Sequence, residues 1–140
     1  MRYESHGKFT IWSEGNIIIA ELQGSWNEQS GLQFEHQFKK IASTMPPRWA
    51  HLVYLNDWEL CVPEMMPIIE RLVTWCIQNG LVRAANIYPS SAIKTQVINK
   101  MIVTQEGDFE RAVFDNEFDG ASWLSNEGFP ISIKKRDRLL

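Results

Sequence analysis

The stretch Leu52-Val53-Tyr54-Leu55-Asn56-Asp57-Trp58-Glu59-Leu60-Cys61-Val62-Pro63 decides the fold. Its apolar start reads as a buried strand that begins near Trp49 and stops at Asn56-Asp57. Beyond it, Ile68, Ile69, Leu72, Val73, Trp75, Cys76 and Ile77 give a helix with a broad apolar face. Pro63 and Pro67 place the helix start between Val62 and Met66, because proline is tolerated where the first backbone N–H groups have no partner anyway. Asn79-Gly80 is a left-handed stop. A central strand feeding a covering helix is the repeating unit of an open α/β sheet.

Working backwards, Phe9–Trp12 and Ile17–Leu22 read as strands joined by the turn Glu14-Gly15-Asn16, which makes an antiparallel hairpin. Asn27 is suited to cap a helix running to about Ala42, with Phe34, Phe38, Ile41 and Met45 along one stripe. Working forwards, Val82–Tyr88 is a strand, and Pro89-Ser90-Ser91 caps a helix with Ile93, Val97 and Met101. Gln105–Asp108 reads as a loop and Arg111–Phe114 as a short strand. Asp119 is expected to cap a last helix that ends at Gly128. The expected architecture is an open, mixed sheet of about five strands covered by about four helices. One domain spans residues 3–131, followed by a basic tail at 132–140.

The bulk composition fits this. The 140 residues are 44% hydrophobic and 22% charged, enough to bury a core without disulfides or metal. A net charge of −3 and a basic cluster confined to Lys134-Lys135-Arg136-Asp137-Arg138 argue against a nucleic-acid binder. That cluster reads as a solvated tail, with an anionic partner or peripheral membrane contact as the sharper alternative. No apolar run spans a membrane, and no signal-peptide pattern follows Met1. Cys61 and Cys76 are too far apart along one helix for a disulfide, and His6, His36 and His51 make no metal-ligand spacing. No cofactor is expected.

The order and punctuation of these stretches resemble the SpoIIAA-like branch of the STAS fold. They are the Ile17–Gly24 strand, the Leu52–Asp57 strand feeding the Pro63–Gly80 helix, the Ala84–Ser91 junction, and Arg111–Leu124 with Phe114-Asp115 and Ala121-Ser122-Trp123-Leu124. The resemblance implies a bacterial cytoplasmic module that works by binding a protein partner, without catalysis. In anti-anti-sigma factors a phosphorylatable serine opens the helix after the third strand. The matching Trp58–Glu64 segment holds no serine or threonine, so that switch is not expected here. The broader fold is also similar to lipid-carrying CRAL-TRIO domains, which implies a carrier or sensor of a small lipophilic ligand as the alternative.

In open α/β sheets ligands meet the crevice beyond the carboxyl ends of the strands. Four strand ends supply Ser25, Trp26 and Asn27; Asn56, Asp57 and Trp58; Tyr88, Ser90 and Ser91; and Asp115 with Asn116. The expected binding set is Trp26, Asn27, Asp57, Trp58, Cys61, Tyr88, Ser90 and Ser91, because aromatic rings beside polar groups dominate recognition surfaces. Plain turn chemistry is the competing reading for the same residues. Asp57 and Glu59 read as solvated carboxylates. Cys61, near a helix start, is the only candidate thiol nucleophile, though Leu60 and Val62 argue for burial. His51 reads as a satisfied or edge-facing strand residue, in preference to a catalytic one. The Met65–Ile69 face is core if buried and a docking patch if exposed. Homodimerisation through an edge strand or a helix face stays open.

Overall fold

The structure, a computed structural model, describes residues 7–59, 63–89 and 92–133 of the chain. Strands β1 (Gly7–Glu14) and β2 (Ile17–Ser25) form the antiparallel hairpin, and helix α1 spans Glu28–Ala42. Strand β3 (Trp49–Tyr54) is followed by the two-residue β4 (Trp58–Glu59), a 3-10 turn at Pro63–Met65 and helix α2 (Met66–Gln78). Then come β5 (Leu81–Ile87), α3 (Ala92–Met101), β6 (Gln105–Glu106), β7 (Phe109–Phe114) and α4 (Glu117–Asn126).

The sheet order is β1-β2-β3-β5-β7-β6, and β4 pairs with the end of β2. β2, β3, β5 and β7 run parallel, whereas the edge strands β1 and β6 are antiparallel. The mixed sheet with four helices is the architecture expected from the sequence. Two details correct that expectation. Gln105-Glu106 is no loop but half of a tight hairpin, turned at Gly107 with φ +59, whose partner strand begins at Phe109. The last helix is capped by Asn116 and not by Asp119: Asn116 Oδ1 accepts the Asp119 backbone N–H at 2.9 Å.

Alternation along the parallel strands builds two cores. Ile18, Ala20, Leu22, Val53, Leu55, Ala84 and Tyr88 face α1, α2 and α3. Ile17, Ile19, Leu52, Tyr54, Ala85 and Ile87 face α4 with Leu124 and Phe129. Both faces of the central strands are covered, which is why they read as unbroken apolar runs. Met65, Ile68 and Ile69 are buried, so the Met65–Ile69 face is core.

Asn27 caps α1 as expected, accepting from the Ser30 backbone N–H at 2.9 Å. Arg71 of α2 grips Glu35 of α1 through Nε at 2.8 Å and Nη2 at 2.6 Å, tying the two helices together. That hydrogen bond, aided by Lys39, holds the Glu35 carboxyl below the usual carboxylate range. Gly80 makes the turn from α2 into β5 with φ +108.

Candidate functional site

Three polar strand ends meet on the α4 face. An open cleft of about 460 Å3 there is lined by Glu21, Tyr54, Asn56, Asp57, Asp115, Asn116, Glu117 and Phe118, with Leu22 and Ile87 at its base. The sheet register explains the gathering. Glu21, Tyr54, Ile87 and Phe114 are successive neighbours across β2, β3, β5 and β7. Glu21 shares a face with Ile17 and Ile19, so alternation alone carries a carboxylate to the rim of an otherwise apolar surface. Tyr54 is buried, and its hydroxyl donates to Glu117 Oε1 at 3.0 Å, fixing the start of α4 against β3. Phe118 stands on the lip with 66% of its surface exposed, the most exposed of the large apolar side chains described.

The cleft therefore joins four carboxylates and two amides to one exposed ring. Among the described residues no group of His, Cys, Asp and Glu has metal-binding geometry. The surface suits hydrogen-bond donors and positive charge beside an apolar side chain.

The residues singled out from the sequence divide between two faces. Asp57 lies in the cleft. Asn27 is the cap of α1. Trp26, Trp58 and Tyr88 are at 1%, 4% and 0% exposure, which corrects the expectation that three rings form a recognition surface at the strand ends. The reason is the same alternation: these side chains point to the opposite, helix-covered face and join the first core. Trp26 and Trp58 meet edge to face with centroids 6.0 Å apart, and Trp26 Nε1 donates to the Gln23 carbonyl at 3.0 Å. The Tyr88 hydroxyl bonds Thr95 Oγ1 at 3.1 Å. Beside them, Lys94 Nζ reaches the Leu55 carbonyl at 2.6 Å, and burial lowers its pKa against the pull of Asp57. Cys61, Ser90 and Ser91, and the basic cluster from Lys134, lie outside the described residues.

Sequence reasoning missed Glu21, Tyr54, Glu117 and Phe118 in the cleft. Glu21 was the findable one, as a charge inside an apolar alternating strand.

Beneath the α1–α3 layer lies a second space, an internal cavity of about 80 Å3. For comparison, an apolar cavity of about 150 Å3 is known to hold one benzene ring. The cavity therefore takes a few atoms and has no room for an acyl chain. Cys76 lines it, and burial pushes its thiol far up from the ordinary range, so it stays protonated and unreactive. His51 also lines it, with Nδ1 2.8 Å from the Ile18 carbonyl. That bond requires the proton on Nδ1. Desolvation lowers the ring's pKa to about 4, so it is neutral. His51 is a satisfied strand residue, one of the two places the sequence left open for it.

No protein-family model and no curated protein matches the chain. Among solved structures, the chain resembles an uncharacterised protein of the DUF3478 family with a SpoIIAA-like fold from Shewanella loihica PV-4. The TM-score is 0.64 at 13% identity, over 89% of this chain and 98% of that one. It also resembles an anti-sigma factor antagonist from Mycobacterium paratuberculosis, with TM-score 0.53 and 10% identity over 85% and 94% of the two chains. These likenesses place the chain in the SpoIIAA-like, STAS-type fold. No described helix is long and apolar enough to cross a membrane.

Proposed function

We propose that this protein is a regulatory module that acts by docking a protein partner, without catalysis, over the cleft at the strand ends. The observation that carries the reading is the pairing of exposed Phe118 with the carboxylates of Glu21, Asp57, Asp115 and Glu117 in one open cleft. Aromatic rings, Phe included, are enriched at protein–protein interfaces, and charges around them steer the partner and set its orientation. Likeness to an anti-sigma factor antagonist fold supports a protein as the partner. The partner surface is basic, with an apolar pocket for Phe118. Docking does not depend on a phosphoserine ahead of α2, since Trp58–Glu64 contains no hydroxyl side chain. The working compartment is a bacterial cytoplasm.

The test is affinity capture from a bacterial lysate with wild-type protein, Phe118→Ala and Asp115→Lys, each verified as folded by circular dichroism. Both variants should lose the captured partner. The Asp115→Lys loss should mimic the effect of raised salt, because rim charges act through screened electrostatics. Equal capture by all three proteins would remove the cleft from the docking surface.

A further inference from the structure

The two edges of the sheet differ. β6 at one edge is two residues long, too short to offer much to another strand. β1 at the other has eight residues and pairs without interruption from Gly7↔Gly24 to Glu14↔Ile17. It holds no proline and no bulge, and among the described residues its strand partner is β2 alone. A long, regular edge of this kind is a template for one more strand.

The backbone shows which groups that edge offers. The Asn16 carbonyl accepts from the Ala50 N–H at 2.9 Å, and the Gly24 N–H donates to the Asp57 carbonyl at 3.0 Å. Even-numbered groups along β2 therefore turn away from β1, and the odd-numbered ones bond to it. Ile17 faces Glu14 and Ile19 faces Trp12, so Lys8, Thr10, Trp12 and Glu14 give their backbone groups to β2. Phe9, Ile11 and Ser13 point theirs outward. Gly7 follows the same parity, its N–H donating to Ser30 Oγ at 3.2 Å. Side chains alternate as well. Phe9 and Ile11 pack on the helix-covered face and Trp12 on the α4 face. Lys8 and Glu14 share the face of Trp12, one near each end of the strand, and both are exposed.

A second copy added edge to edge about a two-fold axis perpendicular to the sheet keeps each face with its like. Residues of the same parity then stand opposite one another. One such register centres on Ile11 against Ile11 of the second copy. It brings the outward groups of Phe9, Ile11 and Ser13 together as hydrogen-bonded pairs. It also sets Lys8 directly opposite Glu14 of the second copy, twice by symmetry. These are non-hydrogen-bonded positions, where side chains approach most closely and opposite charges stabilise. A shift of two residues either way takes Lys8 and Glu14 out of direct opposition. A lysine on a lone edge deters pairing, and this register turns it into a recognition group.

We propose that this protein forms a two-fold homodimer by antiparallel pairing of β1 with β1 of a second copy, in the register that sets Lys8 against Glu14 across the axis. The two sheets run on as one, and the dimer presents two docking clefts on the same face. No β1 residue lines the cleft, and neither reading depends on the other.

The experiment uses the full chain and sedimentation equilibrium over a dilution series. Wild type should be a dimer that dissociates on dilution. Lys8→Glu and Glu14→Lys, both at exposed positions, should each raise the dimer dissociation constant about tenfold, because two ion pairs become two like-charge pairs. The double swap should return it to within about threefold of wild type. Disulfide capture on a Cys61→Ser background reads the register. Lys8→Cys and Glu14→Cys chains, mixed under mild oxidation, should join as a heterodimer, since directly opposite Cα atoms fall within disulfide reach. Neither chain should capture itself. A wild type that stays monomeric at every concentration overturns the proposal, whatever the variants do. A dimer indifferent to the charge swaps overturns it too, as does self-capture of Lys8→Cys.

Discussion

His51 carries a pH dependence that a surface histidine would not. Its ring is kept neutral by desolvation, with a pKa near 4 against an ordinary value of 6.5. The unfolded chain takes up a proton below pH 6.5 and the folded chain does not. Stability contributed by this group is therefore complete above pH 6.5 and is lost as pH falls toward 4. The loss between pH 7 and pH 5 is about 2 kcal/mol. Glu35 does not confuse the window: its carboxyl is shifted below 4.5, so its contribution is lost only in stronger acid. Urea midpoints at pH 7 and pH 5 for wild type and His51→Leu check this. The variant should lose about 2 kcal/mol less than wild type on acidification. An identical decline in both would move the pH dependence elsewhere. The sequence left His51 as either a satisfied or an edge-facing strand residue, and the Ile18 carbonyl on the neighbouring strand decides for the bonded, neutral ring. Its place on the floor of a cavity was not legible there, since that depends on Ala84 and Arg111 beside it.

At the scale of elements, junctions were easier to read than edges. The α2–β5 turn shows why. Asn79-Gly80 was recognisable as a left-handed stop, and Gly80 has φ +108. The fold adds a second constraint that no local rule contains: a Cβ at this position would lie 2.3 Å from the Pro47 carbonyl oxygen, across the start of β3. Gly80→Ala should therefore cost more than backbone strain alone, about 2 kcal/mol or more, read as a lowered urea midpoint with an unchanged slope. A change below about 0.5 kcal/mol would show that the α2–β5 junction yields freely. The β6–β7 hairpin escaped sequence reading because two-residue strands have no periodicity to detect. The cap of α4 was misplaced by three residues because Asn116 and Asp119 are both competent caps. Only the helix axis, set by Tyr54 against Glu117 and by Leu124 in the core, chooses Asn116.

At the scale of the whole molecule, the question is what the sheet presents to a partner. α1, α2 and α3 cover one face, and α4 covers the other only in part. The cleft at the strand ends is the polar remainder of that second face. It offers acidic groups and Phe118, while the protein as a whole carries a modest net charge of −3. Association should accordingly weaken as salt rises from about 0.05 to 0.5 M, through a slower on-rate more than a faster off-rate. A salt-independent on-rate would mean that the partner docks on an apolar surface elsewhere.

The sequence by itself determined the layered α/β architecture, the opening hairpin, the central strand at Trp49–Tyr54 and the caps at Asn27 and Gly80. Each of these is written in local periodicity or in a residue that only one backbone geometry tolerates. The sequence also located the strand ends as the place where polar groups collect. Tertiary structure alone decided which of those groups face solvent. Adjacent residues on a strand point to opposite sides, and whether a side is open depends on which helix packs there. So Asp57 and Trp58, neighbours in the chain, part company: one enters the acidic cleft, and the other is buried in the helix-covered core.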